Sequence, residues 1–217
     1  MRMRKKKHGK ERLDAAAHLL CTDPALTAGN PYAPFGGAEK PLHLEIGCGK
    51  GQFAVGMAAA HPDVDFYALE RVADVMVCAV EKAMAAREGG FDNLRFIVGD
   101  AGTLAEWFAP NTFDCVYLNF SDPWPKAGHY KRRLTYRAYL ELYRKLLKPG
   151  GVLRLKTDNE GLYDFSLEEF AAVGMRVAAA SRDLHNSPYA DGNIMTEYET
   201  NFAAQGMPIY FAEVTFD

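Results

Sequence analysis

The sequence predicts an α/β protein, a mostly parallel sheet with helices on both faces, and three observations predict it. From residue 41 onward, short β-type runs alternate with longer helical patterns, the order that builds parallel strands joined by helical crossovers. One run, "FDCVYLNF", is apolar almost throughout, as a strand covered on both faces must be. A glycine-rich turn, "GCGKG", stands between the first run and the first helix, where such sheets bind ligands.

"LHLEIG" is the first strand, and "GQFAVGMAAAHP" the helix after it, stopped by Pro62. "VDFYALE" is the second strand; "RVADVMVCAVEKAMAAREGG" is a long helix with Gly89 and Gly90 at its end. "LRFIVGDA" is a third strand, "LAEWF" a short helix and "FDCVYLNF" the fourth strand. In "YRAYLELYRKLLKPGG", Ala138, Leu142 and Leu146 recur at helical spacing and "KPGG" ends the helix. "GVLRLKTD" is a fifth strand, "LYDFSLEEFAAVG" a helix, and "PIYFAEVTF" a closing strand. Residues 1–40 read as a basic arm and an irregular lead-in, since "TDPALTAGNPYAPFGG" is rich in Pro, Gly and Asn; residues 41–217 read as one domain.

With 217 residues, 48% hydrophobic and 24% charged, the chain has enough apolar side chains for one sizeable core. No apolar run approaches the length of a membrane span, and the basic N-terminus "MRMRKKKHGKER" lacks the apolar stretch of a secretory signal. Cys21, Cys48, Cys78 and Cys115 are scattered without metal-ligand spacing, which points to reduced thiols in a cytoplasmic protein. Nothing in the composition favours a monomer over a homodimer.

The net charge of −3 conceals a strong asymmetry. Residues 1–12 and 126–148 together carry +13 and leave the rest of the chain at −16. A solvated tail explains one basic run; two such runs on an acidic body suit a polyanionic partner.

The loop "LEIGCGKG" places Gly47, Gly49 and Gly51 between strand and helix, where backbone can approach a ligand closely. A dinucleotide fingerprint would need glycine at position 52, and Gln52 stands there. Glu45 precedes the loop, Glu70 ends the second strand and Asp100 ends the third. Glu45 suits an ammonium, Glu70 the two hydroxyls of a ribose, and Asp100 an adenine amino group. Each alone could be a surface carboxylate. Together they suit a cofactor with positive charge and no phosphate, such as S-adenosyl-L-methionine, which leaves as S-adenosyl-L-homocysteine.

These residues resemble those of class I methyltransferases. With "FSDPWPKAGHYKRRLT" added, the chain is similar to the bacterial tRNA (guanine-N7-)-methyltransferase family over nearly its whole length. "LHLEIGCGKGQF", "ALE", "LKTD" and "TEYE" complete the likeness, and Ala127-Gly128 stands where family members often carry more polar residues. The resemblance implies a Rossmann-like, seven-stranded sheet and methyl transfer to N7 of a guanine in the variable loop of tRNA, forming 7-methylguanosine. It further implies that Lys126, His129, Tyr130, Lys131, Arg132, Arg133 and Asp158, with Thr196, Glu197, Tyr198 and Glu199, border the RNA substrate.

Residues alone account for part of this. Asp122 follows the fourth strand, beside the expected methyl group, where a carboxylate borders both cofactor and base. Guanine N7 loses no proton on methylation and the product purine is cationic, so catalysis rests on positioning and electrostatics. Asp122 fits an orienting or charge-stabilising role, or else a turn-forming one. Pro123 and Pro125 stiffen the loop, and Trp124 either packs it down or stacks on a base. The cations suit phosphate, and no partner at ligand spacing makes His129 a metal site. A methyltransferase for small molecules or proteins, a non-catalytic RNA-binding protein and an NAD-dependent oxidoreductase are the alternatives. Gln52 and the acids speak against the last.

Overall fold

In a computed structural model that describes residues 6–216, the chain forms one eight-stranded sheet with helices on both faces. The elements are, in order, α1 (Gly9–Ala15), β1 (Leu20–Cys21), α2 (Pro24–Gly29), β2 (Leu42–Ile46), α3 (Gln52–Ala60), β3 (Asp65–Glu70), α4 (Ala73–Ala86) and β4 (Leu94–Val98). They continue with α5 (Leu104–Trp107), β5 (Phe113–Asn119), α6 (Arg137–Leu146), β6 (Leu147–Thr157), α7 (Glu160–Ala172), β7 (Met175–Ser181), α8 (Glu197–Ala203) and β8 (Tyr210–Phe216).

The strand order is β1-β4-β3-β2-β5-β6-β8-β7. Pairing is parallel except that β8 runs antiparallel to both β6 and β7. The chain winds outward from β2 one way and from β5 the other, so the order reverses between these two strands. That crevice is where a doubly wound sheet binds its ligand.

Alternation along the strands divides the core. On β3, Phe66 and Ala68 face α3 and α4, packing with Phe53, Met76, Ala79 and Val80. Tyr67 and Leu69 face the other layer, with Leu104, Leu140, Tyr143 and Phe170. A period of two puts each pair on one face, and both faces are dry because helices cover both.

Three expectations need correction. The sheet has eight strands, not seven. The two-residue β1 adds one edge, and β7 adds the other with "MRVAAAS", whose small and exposed side chains carry little apolar signal. The "KPGG" segment does not merely end α6: it lies within β6, where Gly150 has φ 77° and a side chain on Gly151 would meet the Lys148 carbonyl. The lead-in is partly regular, since Asp23 caps α2 by accepting from the Ala25 amide. Thr27 of α2 is fully buried and donates to the Trp107 carbonyl at 2.7 Å. Among the described residues no helix is long and apolar enough to cross a membrane.

Candidate active site: a cleft at the strand ends

A cleft of about 490 Å³ opens beyond the carboxyl ends of β2, β3, β4 and β5. Its floor is the glycine loop. Gly47, Gly49 and Gly51 have φ of 80°, 55° and 78°, a region that side chains disfavour. Their surroundings differ. A Cβ on Gly47 or Gly49 would meet nothing within 4 Å, so these two leave room for a ligand. One on Gly51 would lie 2.8 Å from Ala79 Cβ, so Gly51 brings α3 against α4 and stays outside the cleft lining.

Glu45 sits at the switch point. It is 4% exposed, and Asn119 at the end of β5 donates to its Oε1 at 2.9 Å. Its Oε2 is buried without a partner. Burial pushes this carboxyl up to about 7, against the Asn119 hydrogen bond and the charge of Lys156. A buried carboxylate oxygen without a partner needs a donor.

Glu70 accepts from the Gly49 amide at 3.1 Å and the Val72 amide at 2.9 Å, so it shapes the loop while each oxygen retains a lone pair. Asp100 accepts from the Gly102 amide at 2.9 Å and faces Arg71 at 4.0 Å. Both carboxylates line the cleft, as expected from their places at strand ends.

The opposite wall is the loop after β5. Phe120 and Trp124 have φ of 53° and 41°, conformations that cost aromatic residues energy and persist only when their surroundings fix them. The Phe120 amide donates to the Lys156 carbonyl at 2.8 Å, and Arg133 fixes Trp124, donating to the Pro123 carbonyl at 2.8 Å and the Trp124 carbonyl at 3.4 Å. Its guanidinium also lies over Phe165. Asp122 is exposed in the cleft and, among the described residues, makes no hydrogen bond or ion pair. It is not a turn cap.

Lys131 and Arg132 line the same mouth, while Lys126, His129, Tyr130 and Arg133 lie outside the lining on or beside the 3₁₀ turn Ala127–Arg132. His129 meets the edge of Trp124.

The third wall is the start of α8, where Thr196, Glu197 and Tyr198 line the cleft. Thr196 and Glu199 form a reciprocal capping box. Tyr198 is 62% exposed and stacks on Phe120. Glu197 bridges Lys50 at 3.1 Å and Lys82 at 2.5 Å, and the lysines hold it below the usual carboxylate range despite partial burial. Glu199 is wholly buried against Lys156, His185 and Asn193, away from the cleft lining. Asp158, half-buried just beyond β6, is likewise not in the lining.

Asn119, Phe120, Lys50 and Arg71 line the cleft although the sequence singled out none of them. Asn119 and Phe120 end an apolar strand and Lys50 sits between glycines, so position beside a motif was the available signal.

A family model described as "Putative methyltransferase" matches residues 39–212. The chain is 42% identical over 217 residues to the tRNA (guanine-N(7)-)-methyltransferase of Lactococcus lactis subsp. cremoris (strain SK11), covering 100% of this chain and 98% of the relative. The protein of the same name from Lactococcus lactis subsp. lactis (strain IL1403) matches equally, at 42% over 217 residues with the same coverage. Among solved structures, the 16S rRNA methyltransferase KamB superposes with a TM-score of 0.63 at 14% identity, covering 86% of this chain and 92% of that one. The antibiotic-resistance methyltransferase Kmr superposes with a TM-score of 0.59 at 20% identity, covering 90% and 93%. These two show the fold. With its glycine loop, strand-end acids and cation-bearing loop arranged round one cleft, and with its full-length likeness to the curated relatives, the chain belongs to the tRNA (guanine-N7-)-methyltransferase family.

Proposed function

We propose that the chain transfers a methyl group from S-adenosyl-L-methionine to N7 of a guanine in the variable loop of tRNA. The observation that carries the reading is Glu45 Oε2, a buried acceptor with no partner at the switch point of a methyltransferase sheet. An α-ammonium group supplies the missing donor. The residues present therefore fit the cofactor: Glu45 would hold its ammonium, Glu70 its ribose and Asp100 its adenine, while Gly47 and Gly49 leave it room. Bound there, the cofactor supplies an electrophilic methyl on a cationic sulfur.

The chain's own task is orientation. Tyr198, open on one side and backed by Phe120 and then Phe202 on the other, offers a stacking face for a base. Asp122, without a hydrogen-bond or ion-pair partner among the described residues, faces the same space. It can accept from the guanine edge and stabilise the positive charge the purine acquires. Lys131 and Arg132 at the mouth suit the phosphates of the strand that presents the base. The unpaired cysteines Cys21, Cys48, Cys78 and Cys115 agree with a reducing, cytoplasmic setting.

Incubation with methyl-labelled S-adenosylmethionine and bulk tRNA, followed by nucleoside analysis, tests the reading. Label in 7-methylguanosine is expected; label confined to protein, to small molecules or to another nucleoside overturns it.

A further inference from the structure

Lys156 joins the two halves of the site. In β6 it pairs with Asn119 of β5, and its backbone oxygen accepts from the Phe120 amide at 2.8 Å. It is thereby tied to the strand end that carries Asn119 and Asp122. Its side chain reaches the other way. Nζ donates to Glu199 Oε2 at 2.6 Å, to Asn193 Oδ1 at 2.9 Å and to the Ile194 carbonyl at 2.9 Å. All three ammonium protons are used.

The setting is costly for a cation. The Lys156 side chain is 6% exposed and that of Glu199 is 0% exposed, and a buried ion pair of this kind is seldom needed for stability alone. Apolar side chains could join β6 to α8. A charge is worth keeping there if something else uses it, and Glu45 is placed to do so.

Glu45 faces Asn119, Lys156, the like charge of Glu70, the buried thiol of Cys48 and the Ala54 amide, which falls short of hydrogen-bond geometry. Lys156 is the one cation among them. Around Lys156 stand Glu199, Asn193, the Ile194 carbonyl, Glu45 and the ring of Phe53, 5.1 Å from Nζ. Glu199 is completed by His185 at 2.9 Å and Asn193 at 2.6 Å.

We propose that Lys156 is a positioning residue for methyl transfer: one buried ammonium fixes the cleft end of α8 through Glu199 and lends its charge to Glu45, the carboxyl that receives the cofactor's ammonium. The inference rests on the function proposed above. Through Glu199 it acts on the Thr196 cap, and so on where Tyr198 stands. Through space it acts on Glu45, which burial alone would drive toward the neutral form.

The test is calorimetry with S-adenosylhomocysteine between about pH 6 and 8.5 on the parent, Lys156→Met and Lys156→Arg, each first checked for a cooperative melt. Affinity in the parent should rise with pH through about 7, where Glu45 is half ionised, and level off about one pH unit higher. In Lys156→Met the rise should move up by about one pH unit, giving about fivefold weaker binding at neutral pH that recovers in alkali. Lys156→Arg should keep the parental profile. Equal loss at every pH, or no loss, in Lys156→Met overturns the inference, because a purely structural staple predicts one or the other. If that variant does not melt cooperatively, Lys156→Gln takes its place under the same criterion. A parent that binds no S-adenosylhomocysteine at any pH overturns the proposed function itself, and the inference with it.

Discussion

Arg132 lays its guanidinium over Trp124, with Cζ 3.6 Å from the ring centroid, while its neighbour Arg133 holds the carbonyls of Pro123 and Trp124 from the other side. Trp124 therefore packs against a cation of its own loop, while still lining the cleft. Two adjacent arginines read as one phosphate-binding pair thus have separate work. Arg132 is exposed and at the cleft mouth; Arg133 is the brace of a loop with positive φ at Trp124.

Their variants should differ accordingly. Arg132→Ala should weaken tRNA binding and lower its salt dependence by about one phosphate contact, leaving the melting temperature near that of the parent. Arg133→Ala removes two hydrogen bonds to backbone carbonyls and should cost on the order of 1–3 kcal/mol of stability. Filter binding across a salt series and thermal melts decide this. Equal melting temperatures for the two variants would mean that Arg133 is not a brace.

Glu45 gives a second prediction, with a pH sign. Its carboxyl is raised in the fold to about 7 from an ordinary value of 4.5. The stabilising neutral form is thus fully present below the unfolded value, and its contribution is lost as pH rises through 7. Glu45→Gln should therefore melt higher than the parent at pH 8, by a few degrees, and show little difference at pH 5. The same variant should bind S-adenosylhomocysteine poorly. Melts of the ligand-free proteins at the two pH values check the first claim; a variant less stable than the parent at pH 8 contradicts it.

Glu70 should affect the cofactor and the loop together. Because it already ties the amides of Gly49 and Val72, Glu70→Ala should weaken S-adenosylhomocysteine binding by about 1.5–3 kcal/mol, the scale of hydrogen bonds to a charged group. Affinity for tRNA should hardly change. Unchanged cofactor affinity in calorimetry would take Glu70 out of the site.

The parallel half of the sheet was legible because its strands are buried on both faces and end in chemistry. Glycines and acids fell at strand ends, and parallel topology gathers strand ends at one edge. The rest was hidden for definite reasons. β7 presents alanines and exposed side chains, so burial left no alternation to read. Glu199 is expected at the substrate from the family resemblance of "TEYE", and its neighbours Thr196 and Tyr198 do reach the cleft. Only packing shows that its side chain turns inward to Lys156. Gly51 stood in the ligand loop by spacing, yet serves Ala79 instead. Pairings across long sequence separations, such as Asn119 with Glu45, are invisible to local pattern.

The N-terminal arm yields a divided expectation. Residues 1–5 lie outside the described part, but Arg12 is bound to both oxygens of Glu81 at 2.6 Å and the Lys6 amide to Asp74 at 2.8 Å. Arg12 is thus engaged with α4, whereas the side chains of Lys6, Lys7 and Lys10 make no ion pair among the described residues. Deleting residues 1–5 should flatten the salt dependence of tRNA binding while sparing the melting temperature. Arg12→Ala should do the reverse in part, lowering stability by up to about 1 kcal/mol, as partly exposed pairs do. An unaltered salt slope in the truncated protein would show that the arm does not touch phosphate.

Asp122 supplies the sharpest test of the chemistry. It has no partner within the described chain, so its removal breaks no internal hydrogen bond and should leave the melt intact. If it steadies the charge that develops on the purine, the interaction strengthens toward the transition state, and such interactions govern kcat. Asp122→Ala should therefore lose turnover at saturating tRNA, with little change in affinity for tRNA or S-adenosylhomocysteine. Asp122→Asn separates charge from hydrogen bonding. The amide keeps an acceptor oxygen at the same place, so a loss comparable to that in Asp122→Ala assigns the effect to charge, and near-parental turnover assigns it to orientation. Arg132→Ala provides the contrast, since weaker phosphate binding should raise KM for tRNA and leave kcat alone. Rapid-quench formation of 7-methylguanosine under single-turnover conditions measures the chemical step directly. Full turnover in Asp122→Ala would show that this carboxylate has no part in the transfer.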